Sequence, residues 1–240
     1  MANTTLGSGV TPAPMNVFAR FIGVITAPRA TFENVAAHPK ILGMLLLTAA
    51  LTAFGAALPM TTEAGKQAAI DRQVQAVESF GMTVSDDMYA GFQKGTAMMP
   101  YTTGGSVLVF TPIMVAVMAG ILFAVFNGAL GGEARYKQIY AVVVHSGVIG
   151  ALQQLFSGPL NYFRGSVSSP TSLGALLPML DEKSFIGRLL GMIDIFTVWS
   201  VLVLAIGLGV LYRRKTQPTA ITLFAIYGVV IVCIAAFMSR

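Results

Sequence analysis

Five long apolar runs constrain the fold of this chain more than any other feature of its sequence. Each run approaches the roughly 20 apolar residues with which an α-helix crosses the hydrocarbon core of a bilayer. Charged residues make up only 10% of the chain, against about 25% in a typical soluble domain. The sequence therefore predicts an all-α integral membrane protein with a single membrane domain and a five-helix transmembrane bundle. The predicted spans are residues 41–60, 106–130, 139–157, 189–212 and 219–238.

The residues before the first span predict no crossing of their own. Residues 1–14 are small and polar, which predicts a flexible tail and argues against a secretory signal peptide. Residues 16–40 predict interfacial helices, of which the first is an N-terminal amphipathic helix with Arg20 among its polar positions. Its apolar positions, which recur at helical spacing, are Phe18, Phe21, Ile22 and Ile25.

A second short helix is expected directly after the amphipathic one. Pro28 suits the first turn of a helix, because proline lacks the N–H that would be unpaired there. Phe32 and Val35 would form the apolar face of this helix. The same residues also fit a simple lead-in that packs under the bundle, and the sequence does not choose between these two interpretations.

Two long loops are predicted on the outer side. In residues 61–105 a helix is expected to begin near Thr62, and a second after the N-cap residue Ser85, so this loop is predicted to be helical. Residues 158–188 form the second loop, with turn signals at the Gly158 and Pro159 pair and at Ser169 and Pro170. Asp181 is a candidate cap for a helix that runs straight into the fourth span.

Basic residues set the expected orientation. Lys and Arg accumulate in short cytoplasmic loops, which places the N-terminus inside and the C-terminus outside, in a bacterial cytoplasmic (inner) membrane. The net charge of +5 comes largely from residues beside apolar runs, so membrane lipid rather than nucleic acid is the expected partner. The basic residues assigned to the inner side are Arg20, Arg29, Lys40, Arg135, Lys137, Arg213, Arg214 and Lys215.

Small residues form a ridge along the second span. They recur every four residues and so share one side of the helix, where they would let another helix approach closely. The ridge predicts tight helix packing, either within the chain or against a second membrane protein or another copy. Its members are Ala116, Gly120, Ala124 and Gly128.

Asp194 is the acidic residue of the fourth run and the main candidate for a functional group. It lies about five residues into the run, or roughly 7–8 Å deep at the rise of an α-helix. Because the third span runs outward and the fourth inward, Gln153 and Gln154 are expected at the same level as Asp194. The favoured interpretation is a polar cluster that locks two helices together. A ligand, ion or proton site and a contact with lipid headgroups are the alternatives.

Three other residues are secondary candidates. His145 lies about 12 Å from the glutamines along the third helix and is expected to be a satisfied interior histidine. Trp199 is too deep for an interfacial belt, which favours interior packing. Asn127 lies at the inner end of the second span.

The sequence carries no recognisable catalytic or metal-binding motif. Cys233 is the single cysteine and His38 and His145 are far apart, so neither a metal site nor a cofactor is expected. An intramembrane enzyme using His145 and Asp194 is disfavoured by their difference in depth. The expected class is a non-enzymatic membrane protein.

Two stretches resemble the Yip (Ypt/Rab-interacting protein) domain family, specifically its bacterial branch of small polytopic membrane proteins. This resemblance implies a compact five-helix bundle and a non-enzymatic role. Eukaryotic relatives bind prenylated Rab-type GTPases, but only about 40 residues precede the first span here, so that role is not carried over. The matching residues are Pro28, Arg29 and Phe32 near the N-terminus, and Asp194, Phe196, Trp199, Ile206, Gly207 and Leu208 in the fourth run.

Two functions remain from these observations. The first is a membrane organising or partner-binding protein without chemistry of its own, which the ridge, the lack of motifs and the family resemblance favour. The second is a small transporter or lipid-handling protein, with a polar site near the outer ends of the third and fourth spans. Asp194, Gln153 and Gln154 would form that site.

Overall fold

The computed structural model describes residues 13–177, 179–181 and 184–238, and this part of the chain is all-helical. Residues 1–12 of the predicted tail lie outside the described residues. The α-helices are α1 (Val17–Thr26), α2 (Pro28–Ala37), α3 (Leu42–Ala57), α4 (Glu63–Ser79), α5 (Asp86–Lys94), α6 (Met99–Phe123), α7 (Tyr136–Ser146), α8 (Val148–Arg164), α9 (Phe185–Met192), α10 (Ile195–Leu211) and α11 (Thr216–Met238). A π-helical stretch, Ala124–Ala129, continues α6.

Membrane-length helices dominate the described structure. Within the described ranges, four helical stretches are long and apolar enough to cross a membrane. The helix α10 is also apolar but has only 17 residues. The four stretches are Leu42–Thr61, Asp86–Ala129, Tyr136–Arg164 and Thr216–Met238.

Successive long helices alternate in direction. The start of α6 lies against the end of α3, because Gly104 lies beside Ala57. The helix α10 is antiparallel to α7 and α8, since its Phe196 ring contacts Phe156 near the middle of α8 and its Gly207 packs on Val142 in α7. This arrangement makes α3 and α8 parallel neighbours on one side of the bundle.

Two glycines bring α3 and α8 into close contact. A Cβ atom on Gly158 would lie only 2.8 Å from Gly55 Cα, and a Cβ atom on Gly55 would lie 2.6 Å from the carbonyl carbon of Gln154. Real Cβ atoms do not approach backbone so closely, so only glycine at these positions allows the two backbones to touch. Small residues promote such contacts between membrane helices.

The short helices α1 and α2 form a hairpin that packs into the bundle. Pro28 begins α2 as expected, and Phe32 and Val35 are fully buried against the main core. The predicted position of Arg20 was wrong. Its side chain is only 2% exposed, whereas Phe18 is 71% exposed. The polar position of Arg20 therefore faces the bundle, and Phe18 lies on the outer face of α1.

The loop between the first two long helices is helical, as expected. Thr62 accepts a hydrogen bond from the backbone N–H of Gly65 and begins α4, and Ser85 accepts one from Met88 and begins α5. Ile70 of α4 is buried in a second apolar cluster with Met60 and Met99. This cluster holds α4 against the ends of α3 and α6.

Two predicted boundaries differ from the structure. The turn expected at Gly158 and Pro159 is absent, because α8 continues through Pro159 to Arg164 and uses Gly158 for its contact with α3. The prediction of one helix that runs from Asp181 into the fourth span was also wrong. Ser184 caps α9 instead, and the backbone becomes extended at Ile193 before α10 begins.

The glycine contact predicts a position-specific effect of one methyl group. Gly158→Ala forces α3 and α8 apart and should lower the free energy of unfolding by about 1–3 kcal/mol. The matched control is Gly150→Ala in the same helix, where a Cβ atom meets nothing within 4 Å. The control should be neutral or stabilising by up to about 1 kcal/mol. Equal effects in detergent unfolding assays would contradict the close contact.

Candidate functional site

Asp194 begins α10 and lies almost completely buried, with 4% of its surface exposed. One carboxylate oxygen accepts a hydrogen bond from the backbone N–H of Phe196 at 2.8 Å, as an N-cap residue does. The other oxygen accepts hydrogen bonds from the hydroxyls of Ser169 at 2.5 Å and Thr171 at 2.6 Å. The carboxylate therefore ties the start of α10 to the loop that follows α8.

The backbone on both sides of Asp194 reinforces this connection. Leu173 N–H donates to the carbonyl oxygen of Ile193 at 2.8 Å, and Ser172 and Asp194 form an isolated antiparallel bridge. Where the helix is interrupted, the carbonyl oxygen of Met192 accepts a hydrogen bond from the Tyr227 hydroxyl at 2.7 Å. The break between α9 and α10 is thus closed by hydrogen bonds from the loop and from α11.

Gln153 and Gln154 do not donate to the Asp194 carboxylate. Both lie half-buried within α8, and Gln154 contributes its backbone to the contact with Gly55. The neighbouring residues Phe156 in α8 and Phe196 in α10 do meet, with their ring centroids 5.8 Å apart. Helix α8 continues to Arg164. In the loop that follows it, the hydroxyls of Ser169 and Thr171 donate to Asp194 in place of the glutamines.

A second polar cluster lies at the other end of α10. The Asn127 side-chain oxygen accepts a hydrogen bond from the Tyr212 hydroxyl at 2.6 Å, and its amide donates to the carbonyl oxygen of Ala134 at 2.8 Å. The Tyr212 ring stacks on Phe126. Asn127 sits in the π-helical stretch and joins it to the end of α10 and to the following loop.

Trp199 packs in the interior, as the sequence indicated. It is partly buried against the main apolar core, and its ring lies 6.2 Å from that of Phe196. No hydrogen bond of its indole appears among those of the described residues. The structure therefore gives Trp199 a packing environment next to the Asp194 cluster.

His145 and Arg20 form a polar region that the sequence did not indicate. His145 is fully buried, and its Nδ1 lies 2.7 Å from the carbonyl oxygen of Ala141. Arg20 donates to the side-chain oxygen of Asn34 and to the backbone oxygen of His38, both at 2.9 Å. Burial lowers the pKa of the Arg20 guanidinium from its ordinary value, but guanidinium groups keep their charge in proteins.

The small-residue ridge lies on a weakly covered side of α6. Ala124 and Gly128 are exposed, and Cβ atoms on Gly120 or Gly128 would meet nothing within 4 Å. The buried face of this helix is different, with Ala119, Leu122 and Phe126 in the main core. At Ala116 the Tyr136 hydroxyl of α7 donates to the backbone carbonyl oxygen at 2.8 Å, so the uncovered part of the ridge within the described chain is Gly120, Ala124 and Gly128.

These arrangements differ in what they can do chemically. The Asp194 and Asn127 side chains have their polar atoms engaged by the protein itself, which suits a structural role. Within the described residues, no group of three or more His, Cys, Asp or Glu side chains is placed to hold a metal ion. Arg20 and His145 differ from the other candidates, because each keeps a buried nitrogen without a hydrogen-bond partner.

The fold and its apolar helices define a polytopic helical membrane protein. More specifically, the chain belongs to the Yip1 domain family, whose family model matches residues 22–238. A relative from Bacillus subtilis (strain 168), named membrane protein YknW, is 26% identical over 218 residues, which cover 85% of this chain and 84% of that protein. No solved structure matches the chain significantly. The family resemblance seen in the sequence is therefore confirmed.

If Asp194 is a structural clamp, its removal should cost more than the loss of an ordinary helix cap. Asp194→Ala removes the cap and two hydroxyl bonds to a charged group, and should lower the free energy of unfolding by about 2–4 kcal/mol. The control is Ser184→Ala, which removes the cap of α9 and one exposed hydroxyl bond to the carbonyl oxygen of Asp181 and should cost about 1 kcal/mol. Unfolding in mild detergent measures both values. A loss for Asp194→Ala no larger than that of the control would argue against the clamp.

Proposed function

We propose that this protein organises other proteins in the bacterial inner membrane by binding a partner helix, without catalysing a reaction. The observation that carries this proposal is the open part of the α6 ridge, where Ala124 and Gly128 are exposed and half-buried Gly120 has free space beside it. Membership of the Yip1 domain family and the relative's description as a membrane protein are consistent with it. The partner is a membrane-spanning helix of another protein or of a second copy of the chain.

The proposal includes five crossings with the N-terminus inside and the C-terminus outside. The apolar α10 would be the fifth crossing helix, although its 17 residues span only about 25 Å. A helix somewhat shorter than the hydrocarbon core is accommodated by local thinning of the bilayer. The alternation in direction of α3, α6, α8, α10 and α11 supports this topology, since five crossings require it.

We also propose that α1 lies at the inner membrane interface. Phe18 and Ile22 are 71% and 59% exposed, on the side of α1 that faces away from the bundle. Interfacial helices place such side chains at the boundary between headgroups and acyl chains. Their apolar surface would then be covered by lipid, while Arg20 points into the protein.

The ridge of α6 supports partner binding because, beyond Ala116, the described chain leaves it open. A ridge of small residues lets two helices approach closely, which is the main source of helix association in lipid. Gly120 and Gly128 would provide this approach to a partner, since the space beside each is open. Larger side chains elsewhere on the exposed surface of α6, such as Val117, suit contact with lipid tails.

A transport or lipid-handling role at the outer polar cluster has less support. Such a role requires Asp194 to exchange its contacts for a ligand. Both of its oxygens already accept hydrogen bonds from Ser169, Thr171 and Phe196. Gln153 and Gln154, which would complete this site, do not donate to the Asp194 carboxylate. The organising role is therefore the better-supported function.

A bulky side chain on the ridge should separate partner binding from folding. Gly120→Leu should leave the chain folded, because a Cβ atom there meets nothing within 4 Å. It should weaken the partner contact by about tenfold, since overpacking a contact costs about 1–3 kcal/mol. Chemical crosslinking in native membranes, followed by mass spectrometry of the products, measures complex formation and distinguishes a second copy from a different protein.

The matched control is Gly228→Leu, which makes the same change at an equally open glycine of α11. This variant should retain the crosslinked complex. The proposal fails if Gly120→Leu folds and crosslinks as the unchanged protein does, or if the unchanged protein gives no specific product.

A further inference from the structure

A small cavity lies where the N-terminal hairpin meets the start of α3 and the end of α7. Its volume is about 200 Å³, which suits a headgroup or a small ion better than a drug-sized ligand. Two of its residues, Asn16 and Lys40, are exposed and lie at its outer edge, whereas His145 is fully buried. The lining residues are Met15, Asn16, Val17, Arg20, Lys40, Gly43, Met44 and His145.

Positive charge converges on this cavity. Arg20 and Lys40 both line it, and its lining contains no carboxylate. Gly43 and Met44 belong to the first turn of α3, whose N-cap position makes no side-chain hydrogen bond. The first N–H groups of a helix lack partners within the helix and carry the positive end of its dipole. Two cations and one helix start therefore surround the same space.

Two buried nitrogens at this cavity have no hydrogen-bond partner. They are Arg20 Nε and His145 Nε2, on side chains that are 2% and 0% exposed. Buried polar atoms are almost always paired, and unpaired ones call for an explanation. Because their side chains come from different helices and both line this cavity, one group bound there would lie beside both.

The protein explains only part of the position of Arg20. The bond from its Nη2 atom to the carbonyl oxygen of His38 places it at the end of α2, where a cation is favoured. All its acceptors are neutral, and within the described part of the chain none of its contacts is with a carboxylate. A buried charge normally has a counter-charge, and the described residues provide none here.

We propose that this cavity binds a phosphate group, either free phosphate or the phosphate of an anionic lipid headgroup. The guanidinium of Arg20 matches phosphate oxygens in charge and geometry. Lys40 and the first N–H groups of α3 add further donors. Since Nδ1 of His145 donates to the carbonyl oxygen of Ala141, its Nε2 is an acceptor, for a P–OH group of free phosphate or for a hydroxyl of a lipid headgroup. The site lies at the first turn of α3, and none of its lining residues belongs to the ridge of α6.

The test compares three variants of the full chain in detergent. Lys40→Gln removes a charge at the rim. His145→Leu replaces the imidazole with an apolar side chain and so removes the buried Nε2. Lys137→Gln is the control, because Lys137 is exposed and is not among the lining residues. Thermal unfolding is followed against inorganic phosphate at constant ionic strength, and separately against short-chain phosphatidylglycerol in mixed micelles. Ligands that bind only the folded state raise the unfolding midpoint.

The unchanged protein and Lys137→Gln should bind at least one probe equally. Lys40→Gln should bind it about fivefold more weakly, and His145→Leu at least about tenfold more weakly. Stabilisation by both probes, or by only one, supports the site and identifies its source. The absence of stabilisation by both probes overturns the proposal. An affinity of Lys40→Gln equal to that of the control also overturns the proposal. This rim variant keeps the test valid if His145→Leu fails to fold.

Discussion

The hydrocarbon core of a membrane offers no hydrogen-bond partners, and this constraint determines where the polar groups of the chain lie. Asp194 and Asn127 hold the two ends of α10, and each has its acceptors filled by hydroxyls or backbone groups of the same chain. The break before α10 leaves a carbonyl at Met192, and Tyr227 donates to it from α11. The bundle can therefore contain an interrupted helix without leaving these groups unpaired.

The same constraint separates structural polar groups from candidate functional ones. A cluster whose atoms are all engaged has little left to offer a ligand, and this applies to Asp194. The Arg20 and His145 cavity is different, because it gathers positive charge without a carboxylate. On the surface of the bundle, the shape of a helix face separates a candidate partner site from a face that contacts only lipid. The helix α6 exposes a ridge whose glycines have open space beside them, which suits a partner helix better than lipid tails.

Much of the architecture could be predicted from local patterns. Apolar length located the long helices, and Thr62, Ser85 and Pro28 marked helix starts through capping and proline geometry, which depend on neighbouring residues alone. The continuation of α8 past Pro159 could not be predicted, because the contact of Gly158 with α3 is a tertiary one. Arg20 was misplaced because lipid covers apolar side chains as well as a core does, so an amphipathic pattern does not say which face turns inward.

The proposed topology requires α10 to cross the membrane, which would place its two polar clusters on opposite sides. Single cysteines in a Cys233→Ser background test it directly, at the exposed residues Met179 before α9 and Lys215 after α10. Right-side-out membrane vesicles are treated with a thiol reagent that cannot cross lipid. Met179→Cys should react in sealed vesicles, and Lys215→Cys only after the vesicles are opened. Reaction of both cysteines from the same side would contradict the account.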